Sequence, residues 1–501
     1  MTTPIYDFVT NYIASGTSRL HMPGHKGHGP LCVENRDITE IEGADVLCEG
    51  SGIIGESEAN ASALFGTGMT LYSTEGSSLA IRAMLYLALL RSRQQDPAAG
   101  RPVVLAARNV HKAFLYACAM LDCDVEWIYP ENTDLDSVCS CHPTPEQVRS
   151  SLEQMAAQGR LPFAVYITSP DYLGTIADVR GIADVLASFG SGPDLNRGTE
   201  PGQDLSAEPG PDIPAEAEPA PDIPLLVDNA HGAYLRFLSP SIHPMDLGAW
   251  MCCDSAHKTL PVLTGGAYLH LSEAAAAEVG QEARQAMALF GSTSPSYLIL
   301  QSLDLCNRYL SGDFRKKLEE TCRRVSGLKT YLGMLGISTL DSEPLKLVIK
   351  AAPLTGKQLA GIFRRYGAEP EFSDIHYLVC MFTPENYTED YLRIVQIFRD
   401  TTDVWEAITN AAEFGRLPGI PAELSSQPLV LRPLERVMSV REAVFSSHET
   451  IDVRQSAGRI LGQISVSCPP AVPLAVSGEL ITPDLIPLFL AYETETVSVV
   501  R

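Results

Sequence analysis

Long apolar runs are missing from this 501-residue sequence, and so is any excess of positive charge. The best apolar stretch, residues 83–90, is closed off by Arg82 and Arg91, whereas a bilayer span needs roughly 20 residues. No membrane partner is expected. The opening Met1-Thr2-Thr3-Pro4-Ile5-Tyr6-Asp7 lacks the basic-then-apolar order of an export signal. Lys and Arg total 37 against 61 Asp and Glu, a net charge of −24. Nucleic acid needs clustered cations, so none is expected as a partner. Cysteine is dilute, 12 in the whole chain, too sparse for a disulfide scaffold. Without an export signal the thiols are expected to be reduced and the protein cytoplasmic. Cys139-Ser140-Cys141-His142 has no second ligand pair nearby, so no metal is expected. What is present is ordinary: 45% hydrophobic and 20% charged residues, in a chain long enough for more than one domain.

Residues 191–224 stand apart. They hold eight acids and one arginine among Pro, Gly and Ala, with E-P-G-P-D-I-P at 208–214 nearly repeated as E-P-A-P-D-I-P at 218–224. Too little apolar surface is available there to offset the entropy of ordering it, so the segment is expected to be a flexible acidic insertion. On both sides, short apolar strands (103–106, 125–128, 163–168, 225–228, 250–253, 267–271) alternate with helical stretches (78–90, 111–121, 145–157, 180–189). That alternation predicts an α/β fold with a mostly parallel sheet. The expected organisation is an N-terminal arm and entrance segment over 1–70, a large domain over 71–303 and a smaller α+β domain over 304–501. The last fifty residues, rich in proline, read as a loop-rich tail.

Three pieces carry chemistry. The strand 225–228 ends on Asp228, followed by Asn229-Ala230-His231-Gly232, and open α/β sheets bind ligands at the carboxyl ends of their strands. A second strand runs into Asp254-Ser255-Ala256-His257-Lys258-Thr259, which places Lys258 on a turn. Upstream, Glu75-Gly76-Ser77-Ser78 leads into a helix, where free N–H groups and hydroxyls suit a phosphate. Together these are what pyridoxal 5'-phosphate (PLP) requires: a phosphate cradle, a lysine for the Schiff base and an aspartate for the pyridine nitrogen. The Gly-x-Gly-x-x-Gly turn of a dinucleotide fold is absent.

The chain resembles the PLP-dependent ornithine/lysine/arginine decarboxylase family, in a short form without the N-terminal wing domain. The resemblance is carried by H-M-P-G-H-K-G at 21–27, R-N-V-H-K at 108–112, T-S-P-D-Y-L-G at 168–174, V-D-N-A-H-G-A at 227–233, S-A-H-K-T-L-P at 255–261 and S-T-S-P-S-Y at 292–297. M-S-V-R-E-A-V-F at 438–445 and C-P-P-A-V-P-L at 468–474 extend it. It implies the aspartate-aminotransferase-like fold (fold type I). It also implies that Lys258 holds the cofactor, Asp228 pairs with the pyridine nitrogen and His111 stacks on the ring. His231 is expected to orient Asp228. Gly76, Ser77, Ser78, Ser255 and His257 are the implied phosphate ligands. Thr293 and Ser294 are expected to reach the cofactor of a neighbouring subunit, making a homodimer with shared sites that can assemble further. The segment 21–27 is expected over the entrance. The implied activity is decarboxylation of arginine, lysine or ornithine, in polyamine biosynthesis.

The sequence departs from the family in places that bear on substrate. The usual acid after the cofactor aspartate is Asn229, a later histidine is Tyr234, the asparagine of the phosphate turn is Glu75, and Tyr-Pro-Pro-Gly is Cys468-Pro469-Pro470-Ala471. Glu75 sets an acid beside a dianion and needs a compensating contact. For the distal nitrogen of a basic substrate, Glu479 matches an entrance position, with Glu371 and Asp374 as further candidates. Other readings keep the cofactor: an aminotransferase, for which Arg364 or Arg365 would take the α-carboxylate, a carbon–sulfur lyase, or a decarboxylase of a non-basic amino acid. A pseudoenzyme partner of a larger decarboxylase would need neither Lys258 nor Asp228.

Overall fold

The computed structural model describes residues 1–130, 140–190, 222–401, 431–467 and 472–501. Cys139, nearly all of the acidic insertion and the stretch 468–471 fall outside the described residues. At the centre is a seven-stranded sheet of β1 (Met69–Ser73), β2 (Val103–Ala107), β3 (Asp124–Ile128), β4 (Val165–Thr168), β5 (Leu225–Asp228), β6 (Met251–Asp254) and β7 (Ala267–Leu271). Their order is β1-β7-β6-β5-β4-β2-β3. Only β7 runs against the others, pairing antiparallel with both β1 and β6. Every residue of β2, β5, β6 and β7 is buried, because helices cover both faces and a parallel sheet of this kind reads as continuous apolar sequence. β1 is missing from the strand prediction: Met69-Thr70-Leu71-Tyr72-Ser73 mixes polar and apolar residues and gains strand form from its pairing with β7.

The helix Ser77–Gln95 crosses one face of the sheet and packs with Glu273–Phe290 and Lys112–Leu121. The first seventy residues, expected as an N-terminal arm and entrance segment, begin with a helix that packs against the helices Ile53–Phe65 and Tyr297–Leu310. The helix Pro4–Ala14 buries Ile5 and Val9, and the N–H groups of Ile5 and Tyr6 donate to Asp304 Oδ2 at 3.0 and 2.9 Å. Asp304 lies within the helix Tyr297–Leu310, so the expected break at 303/304 falls inside one element.

Beyond it, β8 (Lys346–Lys350), β9 (Phe372–Ser373) and β10 (Tyr377–Met381) form an antiparallel sheet in the order β8-β10-β9. The C-terminus is not a loop-rich tail. β11 (His448–Asp452) pairs with β14 (Thr496–Val500), and β12 (Ser465–Ser467) with β13 (Pro473–Val476). These ribbons close on a core that fully buries Leu474, Phe489 and Val499. Proline density misleads here because proline is tolerated at the starts of elements: Pro473 opens β13, and Pro487 sits in the first turn of the helix Leu485–Ala491, where its missing N–H has no intrahelical partner to lose.

Candidate active site

Five strands, β1, β2, β4, β5 and β6, deliver their carboxyl ends to one cavity of about 410 Å³. Gly76, Ser77 and Ser78 follow β1; Asn109 and His111 follow β2; Thr168 ends β4, with Pro170 and Tyr172 after it; Asp228 ends β5, with Ala230 and His231 after it; Ser255, His257 and Lys258 follow β6. The sequence-derived set is thus brought together, apart from three residues treated below.

Lys258 stands in one helical turn, Ala256–Thr259, where the sequence suggests a plain turn. Its Nζ lies 3.1 Å from His231 Nε2. Burial lowers the Lys258 pKa, and Asp228 pulls it back. His231 is pushed well below its ordinary range, by burial first and then by Lys346 and Lys258, so its ring is neutral. His231 does not orient Asp228, as the resemblance implies. Asp228 instead accepts from Tyr166 Oη at 3.2 Å and from the Ala230 N–H at 3.2 Å, with Cys253 Sγ at 3.7 Å. Tyr166 and Cys253 escape a motif search because they are apolar-run residues of the neighbouring strands β4 and β6. Their only signal is register, since β4 and β6 both pair with β5.

His111 caps the helix Lys112–Leu121, its Nδ1 accepting the Ala113 N–H at 3.2 Å. That contact puts the ring proton on Nε2. Burial lowers its pKa.

The helix Ser77–Gln95 begins without a side-chain cap, its N-terminal N–H groups facing the cavity. Gly76 has φ of +72°, and a Cβ built there would meet only Ser78 N, at 4.0 Å. Ser255 Oγ donates to Ser77 Oγ at 2.8 Å. Glu75 finds the contact its charge requires: Oε1 accepts the Ser292 N–H at 2.5 Å. Asn109 Oδ1, Thr168 Oγ1 and His231 Nδ1, all buried on cavity-lining residues, have no protein partner. Buried polar atoms are normally satisfied, so these mark a site built for a polar ligand. An open cradle at a helix N-terminus, a desolvated lysine and a buried carboxylate fit PLP by donor chemistry.

Glu479 and the pair Thr293–Ser294 are not brought to this cavity. Glu479 is buried outside the cavity lining, its oxygens accepting from Arg108 at 2.7 Å each and Oε2 also from the Val476 N–H at 2.8 Å, so its charge is already paired within the protein. Thr293 and Ser294 are exposed on the connection between two helices. No residue of the segment 21–27 lines the cavity; within that segment His25 Nε2 is 3.1 Å from Asp37 Oδ2. Asp374 is buried and caps the N–H groups of His376 and Tyr377. Glu371 is exposed and accepts from Tyr172 Oη at 2.7 Å. Among the described residues no helix is long and apolar enough to cross a membrane.

A mostly parallel sheet whose strand ends converge on a lysine, an aspartate and an anion cradle defines the class of fold type I enzymes, in which PLP is the implied cofactor. The model of the family described as "Orn/Lys/Arg decarboxylase, major domain" matches residues 3–192 and 215–335. The chain belongs to that family. It is 27% identical to an arginine decarboxylase of Bacillus subtilis over 509 residues, covering 96% of this chain and 92% of that one. To an arginine decarboxylase of Bacillus anthracis it is 25% identical, covering 96% and 91%. Among solved structures, the lysine decarboxylase of Francisella novicida superposes with a TM-score of 0.74 at 14% identity, covering 100% of this chain and 81% of that chain.

Proposed function

We propose that this protein is a PLP-dependent decarboxylase that converts a basic amino acid, arginine ahead of lysine and ornithine, to its amine and CO2. The observation that carries the reading is the convergence of Lys258, Asp228, His111 and the open cradle at Gly76–Ser78 on one cavity. The names carried by the Bacillus relatives favour arginine.

When bound, PLP supplies an electron sink for the pair left behind as the carboxylate departs. This chain's residues do the rest. Ser77, Ser78, Ser255 and His257 bind the phosphate. Asp228, fixed by Tyr166 and Ala230, holds a proton on the pyridine nitrogen. His111, held by its cap contact to Ala113, would stack on the cofactor ring and help to orient it. Lys258 offers an amine that loses its proton readily because it is desolvated, and neutral His231, 3.1 Å away, accepts that proton. The same pair returns a proton to Cα after CO2 leaves. Arg364 is a poor carboxylate anchor for transamination, because it is tied to Glu369 at 2.7 Å on the surface.

The reading extends to a cytoplasmic homodimer in polyamine biosynthesis, with the cofactor-binding domain running from residue 71 through the helix Tyr297–Leu310 and the smaller domain beyond it. It is supported by the exposure of Thr293 and Ser294, which leaves them available to a second subunit. The test is a product screen. Purified protein with PLP is incubated with each common amino acid and amines are read by mass spectrometry. Agmatine from arginine, lost in Lys258→Ala, is the expected result. No amine from any amino acid, with cofactor bound, overturns it in favour of another PLP reaction.

A further inference from the structure

Behind the cavity, outside its lining, four polar side chains form a buried cluster. Asp254 ends β6, four residues before Lys258, and is fully buried. Its Oδ1 accepts from Asn229 Nδ2 at 2.7 Å, and its Oδ2 accepts from His243 Nε2 at 3.0 Å and His270 Nε2 at 3.2 Å. Two imidazoles and a carboxylate within 4.8 Å resemble a metal site by donor type. Hydrogen bonding argues otherwise. His243 Nδ1 accepts the Met245 N–H at 3.4 Å, so the ring carries its proton on Nε2 and has no lone pair to offer there.

The cluster is therefore a seat for a buried negative charge. Burial alone would push the Asp254 carboxyl up, but His243 and His270 outweigh it and hold the group below the usual carboxylate range. Asn229 connects this charge to the site. It follows Asp228 directly, its N–H donates to the Cys253 carbonyl at 2.9 Å, and its side chain donates to Asp254. The ends of β5 and β6, which carry Asp228 and lead to Lys258, are thereby pinned to each other.

We propose that Asp254 is a positioning residue for the cofactor site: through Asn229 it fixes the strand end that carries Asp228, and it sets a second buried negative charge one strand across from that carboxylate. A second anion behind Asp228 favours a cation in front of it, which is what a protonated pyridine nitrogen is. The inference rests on the PLP reading above, but not on which amino acid is decarboxylated.

The hydrogen bonds make the test clean. Asn229 Oδ1 has no partner, so in Asp254→Asn the Asn229 amide can turn over and accept from the new amide. The charge goes while the bonds stay. In the double variant Asn229→Asp with Asp254→Asn, the amide at 254 still offers its oxygen to both imidazoles and its NH2 to a carboxylate at 229. The charge returns, moved by one strand. PLP is titrated into each apo-protein by absorbance, and the thermal midpoint of each apo-protein is recorded. Asp254→Asn is expected to bind PLP about tenfold more weakly, and the double variant to come within about threefold of wild type. Unchanged affinity in the single variant overturns the proposal. So does a double variant as weak as the single one with an unaltered apo midpoint. If Asp254→Asn does not fold, Asn229→Ala, which keeps the charge and removes the tether, decides: weaker PLP binding supports the proposal and wild-type binding overturns it. Wild-type protein that binds no PLP would instead overturn the proposed function.

Discussion

Arg108 and Glu479, 371 residues apart in sequence, meet as a buried fork-to-fork pair. Nη1 to Oε1 and Nη2 to Oε2 are both 2.7 Å, and Arg108 Nε also donates to the Pro473 carbonyl at 3.1 Å. The guanidinium is flanked by Trp127 and Tyr129, with ring centroids at 4.8 and 5.4 Å. This clamp joins the end of β2 to the C-terminal ribbons. Removing one partner of a buried ion pair strands the other charge and costs about 3–5 kcal/mol. Glu479→Gln is therefore expected to lower stability in urea by about that amount, while the KM for the amino acid in the folded fraction stays within about twofold. A variant of native stability with a strongly raised KM would return Glu479 to substrate binding.

The 3.1 Å contact between Lys258 Nζ and His231 Nε2 gives the second prediction. Under the proposed function, the neutral imidazole beside the amine is positioned to move protons that the amine must gain and lose, and such groups contribute about 10²–10⁴ in rate. His231→Gln is expected to cut kcat by about 10² with little change in KM and with the cofactor still bound. Lys258→Ala is expected to abolish turnover. Steady-state kinetics with the visible cofactor band as a control checks both. Wild-type kcat in His231→Gln would leave proton transfer to Lys258 alone.

Much of this site was legible in the sequence, for a physical reason. Asp228 and Lys258 sit where a strand stops and a turn begins, so apolar runs ending in polar residues mark them; Gly76–Ser78 were marked by the helix start that follows, and His111 by the resemblance alone. The residues that support them were not legible. Tyr166, Cys253, Asp254 and His270 lie within or at the ends of strands, and what they do depends on register across the sheet. Glu479 shows the opposite failure. Its motif points to the entrance, but a buried arginine distant in sequence claims both its oxygens. The sheet itself was readable wherever burial on both faces made strands continuously apolar. β1, with Thr70 facing His270 Nδ1 at 2.8 Å, was hidden by its polar half.

Glu58 is fully buried on the helix Ile53–Phe65. Its Oε1 accepts the Tyr72 N–H at 2.9 Å and its Oε2 accepts from Arg284 Nη2 at 2.6 Å. Burial outweighs the arginine and raises its pKa from 4.5 to about 7. Between those values the folded protein keeps a proton that the unfolded chain has released, so this group makes folding less favourable as pH rises through the window. Glu58→Gln lacks that dependence. Relative to wild type, the variant is expected to gain up to about 3 kcal/mol between pH 4.5 and 7.5. Urea denaturation at the two pH values measures it, and a difference that does not change with pH refutes the assignment.

Tyr172 and Glu371 join the cavity to an acid at the surface and give the last prediction, on substrate recognition. The Tyr172 ring lines the cavity and stands edge-on to His231, centroids 5.2 Å apart, and to Phe372 at 5.1 Å. Its hydroxyl donates to Glu371 Oε1 at 2.7 Å. The wall that begins at the reacting lysine therefore ends on an acid at the surface, and that acid is among the charges that oppose the burial-driven fall of the Lys258 pKa. A basic amino acid held at Lys258 would carry its distal cation away from the reacting centre, and Glu371 is the carboxylate tethered to that side of the cavity. Losing a charge-assisted hydrogen bond of this kind costs about 1.5–3 kcal/mol. Glu371→Gln is expected to raise KM for the basic substrate by at least about tenfold and to leave kcat within about twofold, because the contact is equal in ground and transition states. Tyr172→Phe, which frees Glu371 without removing its charge, should give a smaller rise. Equal KM values in wild type and Glu371→Gln would exclude this carboxylate from recognising the distal cation.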